Sequence, residues 1–238
     1  MSTSGEWISL GDGSRAYHAR PDGAGPFPSV VIFIEAFGLN DHFKRLTERF
    51  AAEGFAAVTP DLYDGAVYPY DNMPAAIGHM QRLTEETVVA RTEQALAFLG
   101  SRPEARTDAV GAIGFCMGGY YAFLANLALP ERFHAASSFY GGGIAPAAPF
   151  IGKPLLLERV GTMQAPLQLW YGGQDRFIQP EEHARIAEAL SKAGKTYSMT
   201  VFAGATHGFF CEDRSSYHQA SAERAWRSVL AFFRDHLA

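Results

Sequence analysis

The stretch Val110-Gly-Ala-Ile-Gly114-Phe115-Cys116-Met117-Gly118-Gly119-Tyr120 places the pattern G-x-C-x-G-G between a predicted strand and a predicted helix. This is the context of a nucleophile elbow, a sharp strand-to-helix turn that holds its nucleophile in a strained conformation. Glycines two before and two after Cys116 are needed because side chains there would collide with the neighbouring strand and helix. The sulfur would then lie above the sheet at a helix N-terminus, where backbone N–H groups favour a thiolate. The stretch predicts a nucleophilic cysteine.

Two other interpretations of this stretch compete with the nucleophile elbow. A phosphate-binding glycine loop has a different glycine spacing and no use for a cysteine. A buried structural thiol at a glycine-containing junction is the commoner role of a lone cysteine. The residues found elsewhere in the chain therefore decide between a structural and a catalytic Cys116.

The segments on either side of the elbow alternate between strand and helix patterns. A hairpin is predicted by Trp7–Leu10 and Ala16–Ala19, which flank an Asp-Gly turn. Further strands are predicted at Ser29–Ile34, Phe55–Thr59, Ala109–Phe115, His134–Tyr140, Pro166–Tyr171 and Tyr197–Phe202. Helices are predicted at His42–Glu53 (with Asp41 as N-cap), Glu85–Leu99, Met117–Leu129, Pro180–Ala193 and Tyr217–Leu237. This order predicts an α/β fold with a mostly parallel sheet and helices on both faces.

The length and composition of the chain exclude several classes of protein function. The 238 residues fit a single domain, 1–238, in which the irregular segment 64–80 borders a site or forms a partial lid. With 25 acidic and 20 basic residues the net charge is −5, which does not suggest a nucleic-acid-binding protein. The apolar runs are too short for a membrane helix. Two cysteines and a first segment without a signal-peptide pattern predict a cytoplasmic protein with free thiols.

A cysteine nucleophile needs a base, and the base needs an acid that orients it. Asp175 follows a predicted strand in Leu169-Trp-Tyr-Gly-Gly-Gln-Asp175, and His207 follows the last predicted strand. Taken alone, Asp175 fits a turn carboxylate and His207 fits a solvated loop histidine. All three residues, however, lie at carboxyl ends of parallel strands, where open α/β sheets place their sites. The sequence therefore predicts a Cys116–His207–Asp175 triad.

These motifs resemble the dienelactone hydrolase family of α/β-hydrolases. The resemblance extends from Val30 to Phe233. It is carried by Ile34-Glu35-Ala36-Phe37-Gly38-Leu39-Asn40, Thr59-Pro60-Asp61-Leu62-Tyr63, the elbow around Cys116, Gly172-Gly173-Gln174-Asp175 and His207-Gly208-Phe209-Phe210. It implies an eight-stranded, mostly parallel sheet, a Cys-His-Asp triad, no cofactor or metal, and hydrolysis of an ester or lactone.

In that family a glutamate at the position of Glu35 lies near the nucleophile and helps to deprotonate it. A carboxylate after five apolar residues is costly unless it is paired or lies at a solvent-facing strand end. A nearby negative charge opposes a thiolate, so the free enzyme is expected to hold a largely neutral thiol. The alternative is an ion-paired glutamate that fixes the loop. The backbone N–H groups of Ala36 and Met117 are the expected oxyanion donors.

Substrate recognition departs from the family pattern. Members acting on dienelactone hold the substrate carboxylate with an arginine four residues after the triad histidine, and Cys211 occupies that position here. Phe37, Arg82 and Arg214 are the candidate substrate-binding residues, while Cys211 is expected to be a packing residue. Dienelactone itself is therefore in doubt as the substrate.

The sequence thus predicts a cysteine-dependent hydrolase of small esters or lactones, acting through an acyl-thioester intermediate as a monomer or homodimer. Two alternatives stay open. One is a catalytically silent small-molecule-binding module on the same fold. The other is a glutamate-assisted cysteine enzyme of the flavodoxin-like class, which the chain length, the N-terminal hairpin and the late Asp and His disfavour.

Overall fold

The computed structural model describes residues 5–147 and 156–238. The strands are β1 Glu6–Ser9, β2 Arg15–Ala19, β3 Phe27–Phe33, β4 Ala56–Pro60, β5 Ala105–Phe115, β6 Ala135–Phe139, β7 Leu167–Gly172 and β8 Tyr197–Phe202. The helices are α1 Asp41–Ala52, α2 Met73–Met80, α3 Glu85–Gly100, α4 Met117–Ala128, α5 Pro180–Lys192 and α6 Gln219–Leu237. A short 3₁₀ turn covers Leu157–Thr162.

The eight strands form one sheet in the order β1-β2-β4-β3-β5-β6-β7-β8. β1 pairs antiparallel with β2, and β2 pairs antiparallel with β4. The pairings from β4 to β8 are parallel. The eight-stranded, mostly parallel sheet and the N-terminal hairpin expected from the sequence are confirmed.

Helices cover both faces of the sheet, as two glycines of β5 illustrate. A methyl group at Gly111 would touch Phe233 of α6, whereas one at Gly114 would overlap the backbone of Gly118 in α4. Side chains three residues apart on a strand point to opposite faces, so α6 and α4 lie on opposite sides. The central strands are buried on both faces, which explains why they read as continuous apolar runs.

Two local predictions were wrong. α1 is capped by Asn40, whose side chain accepts from the Phe43 N–H, and Asp41 is instead the first residue of the helix, where its carboxylate faces the positive end of the helix dipole. The segment 64–80 was expected to be irregular, but its second half is α2, which is capped by Asn72 and has proline in its first turn.

Candidate active site

Cys116 lies at the turn between β5 and α4 in a backbone conformation that side chains rarely adopt, with φ +56°. Its N–H donates to the carbonyl of Phe139 at 3.0 Å, which ties the elbow to the end of β6. A methyl group at Gly118 would overlap the carbonyl of Phe33 on β3, just as one at Gly114 would overlap α4. Only glycine allows strand and helix to approach this closely, and the turn presents the sulfur at the carboxyl edge of the sheet.

The three predicted triad residues meet at this edge. Nε2 of His207 lies 3.1 Å from Sγ of Cys116, and Nδ1 lies 2.7 Å from Oδ2 of Asp175. The Asp175 side chain is fully buried, and its Oδ1 accepts from the N–H groups of Phe177 and Ile178 at 2.8 and 3.2 Å. These two bonds fix the carboxylate, and the carboxylate in turn orients the imidazole towards the sulfur.

The electrostatics of this chain favour a protonated His207. Burial acts to lower the pKa of His207, because it disfavours the imidazolium. The negative charge of Cys116 and the hydrogen bonds with Asp175 and Cys116 outweigh burial and raise the pKa of His207 to about 10. A histidine so placed carries its proton at neutral pH and can stabilise a thiolate beside it.

Glu35 is buried behind the site in an ion pair. Its side chain is 1% exposed, and its two oxygens lie 3.3 and 3.2 Å from a guanidinium nitrogen of Arg214, which is itself 13% exposed. The Tyr140 hydroxyl donates to the same carboxylate at 3.1 Å. Arg214 therefore compensates the charge that was expected to oppose a thiolate, and the ion-paired glutamate weighed from the sequence is what the structure contains.

The sulfur opens into a cavity of about 120 Å³. Apolar side chains dominate its walls, and the ionisable groups besides Cys116 among the described residues that line it are Arg214, Glu182, His207, Tyr120 and Tyr121. The cavity residues are Ala36, Phe37, Met73, Ile77, Met80, Cys116, Met117, Tyr120, Tyr121, Gly142, Gly143, Pro146, Phe177, Ile178, Glu182, His207 and Arg214. Three of them belong to α2, so the second half of the segment 64–80 lines this cavity.

The other predicted site residues divide between the cavity and the surface. Ala36 and Met117 line the cavity. The Met117 N–H is the first of α4, a position at which a helix leaves its N–H groups without an intrahelical partner. Phe37 lines the cavity too, with the Arg214 guanidinium 5.4 Å above its ring. Arg82 is exposed and donates to the carbonyl of Gly78, so it does not belong to the described lining of the cavity.

Cys211 is buried next to the site rather than in it. Its sulfur lies 3.2 Å from the hydroxyl of Tyr70, and burial raises the pKa of the thiol to about 12. Both cysteines are free thiols. Cys211 is thus poorly suited to react, in agreement with the packing role expected for it.

Sequence reasoning missed two residues of the site, Tyr140 and Glu182. Tyr140 immediately follows β6 with φ +37° and is completely buried, so its position at a strand end was an available signal. Glu182 lies in the first turn of α5, where an acidic residue is ordinary, and nothing in the sequence distinguishes it from Glu181. Its approach to the cavity depends on how α5 packs.

In the described ranges 5–147 and 156–238, no helix is both long and apolar enough to cross a bilayer. Within the same part of the chain, no three metal-ligating side chains of histidine, cysteine, aspartate or glutamate come together.

Comparison with known proteins identifies the family of this chain. Residues 14–237 match the model of the "Dienelactone hydrolase family". A Synechocystis protein named "Putative carboxymethylenebutenolidase" is 32% identical, and the match covers 93% of this chain and 91% of that one. A Bradyrhizobium protein named "Probable 2-oxo-3-(5-oxofuran-2-ylidene)propanoate lactonase" is 27% identical, with 98% and 94% covered.

The fold comparison agrees. The crystal structure of a Klebsiella pneumoniae protein titled "Putative Dienelactone Hydrolase" superposes with a TM-score of 0.90 at 28% identity, covering 98% of this chain and 99% of that one. The flavodoxin-like alternative is therefore not favoured. From the family match and the shared fold, the chain belongs to the dienelactone hydrolase family of α/β-hydrolases, and it is a hydrolase.

Proposed function

We propose that this protein hydrolyses small esters or lactones with Cys116 as nucleophile, through an acyl-thioester intermediate. The observation that carries the proposal is the unbroken chain from sulfur to imidazole to carboxylate, with contacts of 3.1 and 2.7 Å. The relatives named as a carboxymethylenebutenolidase and a lactonase support the bond type.

In the first half-reaction the Cys116 thiolate attacks the carbonyl carbon, and a C–S bond forms while the carbonyl oxygen becomes an oxyanion. The N–H groups of Ala36 and Met117 are proposed to hold that oxyanion. The bond to the alkoxide then breaks, and the His207 imidazolium gives its proton to the leaving oxygen. The product is an acyl thioester beside a neutral imidazole.

In the second half-reaction neutral His207 takes a proton from water, and the hydroxide formed attacks the thioester carbonyl. Collapse of the second oxyanion releases the acid and returns the thiolate–imidazolium pair. A lactone keeps its alkoxide tethered to the acyl group, so water must compete with ring closure. Asp175 orients the imidazole and stabilises the imidazolium.

Glu35 takes part as a positioning residue. Its carboxylate binds Arg214 and the Tyr140 hydroxyl behind the site, and Tyr140 in turn packs edge-on against His207 with ring centroids 5.1 Å apart. Direct deprotonation of Cys116 by Glu35 would require the carboxylate to leave Arg214 first. The short contact between His207 and the sulfur makes His207 the simpler base.

The test compares wild type, Cys116→Ala and Cys211→Ala on p-nitrophenyl esters, small lactones and dienelactones. Loss of turnover in Cys116→Ala alone, with a wild-type acyl adduct on Cys116 by mass spectrometry, is the expected result. Equal rates for wild type and Cys116→Ala would remove this residue from the mechanism. Absence of wild-type turnover on every substrate would favour the binding-module alternative. A cytoplasmic location and a monomer or homodimer stay predictions from the sequence.

A further inference from the structure

The loop that follows β6, residues 141–147, forms one wall of the cavity. Three of its residues line the cavity: Gly142, Gly143 and Pro146. The loop starts at a fixed point, because a methyl group at Gly141 would overlap the backbone of Gly119 in α4. A methyl group at Gly142 would lie 3.2 Å from the side chain of Ile178, so the loop also packs against the turn that follows β7. The position of this loop therefore sets the shape of the cavity.

Two side chains of α5 bind the backbone of the loop. Glu182 is 4% exposed, and its Oε1 accepts from the N–H groups of Gly143 and Ala145 at 3.1 and 3.0 Å. Arg185 lies three residues further along the helix, on the same face, and its Nε donates to the carbonyl of Ala145 at 2.7 Å. Glu182 and Arg185 thus act together as a clamp on the loop, the α5 clamp.

The carboxylate and the loop depend on each other. Burial raises the pKa of Glu182, because it disfavours the charged form, and the bonds from the loop N–H groups act in the opposite direction. Without Glu182, the buried N–H groups of Gly143 and Ala145 would lose their acceptor, and an unsatisfied buried donor is destabilising. The loop is therefore expected to leave its position when the α5 clamp is removed.

A fixed wall favours substrates that reach it. Each methylene group that leaves water for an apolar surface strengthens binding by about fourfold. A mobile wall must first be ordered by the substrate, and that ordering offsets part of the gain. An acetyl group is too short to benefit from a wall at a distance from the nucleophile, whereas a longer acyl group benefits from it.

We propose that the α5 clamp determines acyl-group specificity: Glu182 and Arg185 are positioning residues that hold the loop 141–147 as the wall against which longer acyl groups bind. The inference rests on the proposed hydrolase activity and deepens it, since it names the acyl groups that the site favours, those that extend beyond acetyl.

The first measurement compares kcat/KM for p-nitrophenyl butyrate and p-nitrophenyl acetate, each corrected for uncatalysed hydrolysis. Wild type should favour the butyrate by about tenfold, because its acyl group has two more methylenes. Glu182→Met has a side chain of similar size that accepts no backbone hydrogen bond, and it should reduce this ratio at least threefold. Glu182→Gln, whose amide oxygen can accept both bonds, should keep the ratio close to that of wild type.

Arg185→Met changes the α5 clamp from outside the cavity, because Arg185 does not belong to the described lining, and it should reduce the ratio as well. The matched control is Glu181→Met, at the exposed neighbour of Glu182 in the first turn of α5. It should leave the ratio at the wild-type value.

Hydrogen–deuterium exchange of the loop amides, read by mass spectrometry, tests the α5 clamp without any substrate. Exchange in residues 141–147 should be at least tenfold faster in Glu182→Met and Arg185→Met, and unchanged in Glu182→Gln and Glu181→Met. If Glu182→Met does not fold, Arg185→Met supplies both readouts.

Wild-type exchange in the Met variants of Glu182 and Arg185 would overturn the α5 clamp. A wild-type ester ratio of one or less, or a ratio that both variants leave unchanged, would overturn its role in specificity. If neither ester shows Cys116-dependent turnover, the catalytic proposal fails and the specificity inference falls with it. Cys116-dependent turnover with an unchanged ratio contradicts this inference alone.

Discussion

The Arg214 guanidinium lies 3.2 Å from the Glu35 carboxylate, 179 positions away in sequence, and the two side chains are 13% and 1% exposed. Burial acts to lower the pKa of Arg214, but the Glu35 charge more than offsets this and raises it. The family pattern places an arginine four residues after the histidine, where this chain has Cys211. The cation instead comes from the next turn of the loop and is held by an acid rather than left free.

Replacing Glu35 so that Arg214 loses its partner should destabilise the protein strongly. Glu35→Gln leaves the buried Arg214 without its anion, and such a change typically costs about 3 kcal/mol or more in the free energy of unfolding. Urea titration followed by circular dichroism measures the loss. The control is Asp213→Asn, which breaks the Arg45–Asp213 pair of 2.7 Å between side chains that are 49% and 40% exposed. The Arg45–Asp213 pair should contribute less than about 1 kcal/mol to the free energy of unfolding. Similar losses for both variants would contradict the assignment of Glu35–Arg214 as a buried pair.

Asp175→Asn should slow turnover while the fold persists. The amide can still accept from the Phe177 and Ile178 N–H groups, but it carries no charge to stabilise the His207 imidazolium. The corresponding change in a serine triad lowers kcat by about 10⁴-fold, and a loss of at least 10²-fold is expected here. Asp108→Asn, at an exposed aspartate paired with Arg106, is the control. A loss below tenfold in Asp175→Asn would show that the carboxylate does not support the imidazole.

The protonation of His207 can be followed through the reactivity of Cys116. Because the pKa of His207 is raised to about 10, the imidazolium persists across the neutral range and is lost only as the pH rises through that value. The His207 imidazolium should therefore increase the reactivity of the Cys116 thiolate most strongly at low pH. We expect iodoacetamide to alkylate Cys116 at least tenfold faster in wild type than in His207→Gln at pH 6. The ratio should fall towards one above pH 10. Mass spectrometry distinguishes Cys116 from the buried Cys211. A ratio near one at pH 6 would show that the pair is not ionised.

That Cys116, His207 and Asp175 come together was predictable because the signals are local. The backbone of Gly118 leaves room only for glycine at position 114, and the backbone of Phe33 leaves room only for glycine at position 118. Asp175 and His207 each follow a strand that the sequence pattern predicts clearly. Parallel strands bring their carboxyl ends to one edge, so three separate motifs could be assembled without coordinates.

The residues that shape the cavity carry no such signal. α2 was missed because Pro74 and Gly78 interrupt its pattern and the segment before it is rich in turn-forming residues. Arg214 lies in a loop whose path depends on turns after His207, and the inward direction of Glu182 follows from tertiary packing. Side-chain direction in loops and helix ends is set by the assembled fold rather than by local propensity.

The loop after His207 offers a direct test of how Arg214 reaches Glu35. Gly208 has φ +77°, and a methyl group there would overlap the Arg214 guanidinium. Gly194 is the matched control, because it has a similar φ of +64° with nothing within 4 Å of the added methyl group. Gly194→Ala should cost about 1–2 kcal/mol in unfolding free energy from the backbone conformation alone.

Gly208→Ala should cost that amount plus the loss of the displaced ion pair, about 4–5 kcal/mol in total. Because both changes disrupt the same pair, Gly208→Ala combined with Glu35→Gln should destabilise less than the sum of the two single variants. Gly194→Ala combined with Glu35→Gln should be additive. Urea titration of the single and double variants measures both combinations. Additivity in the Gly208 combination would show that Gly208 does not act by giving Arg214 room to meet Glu35.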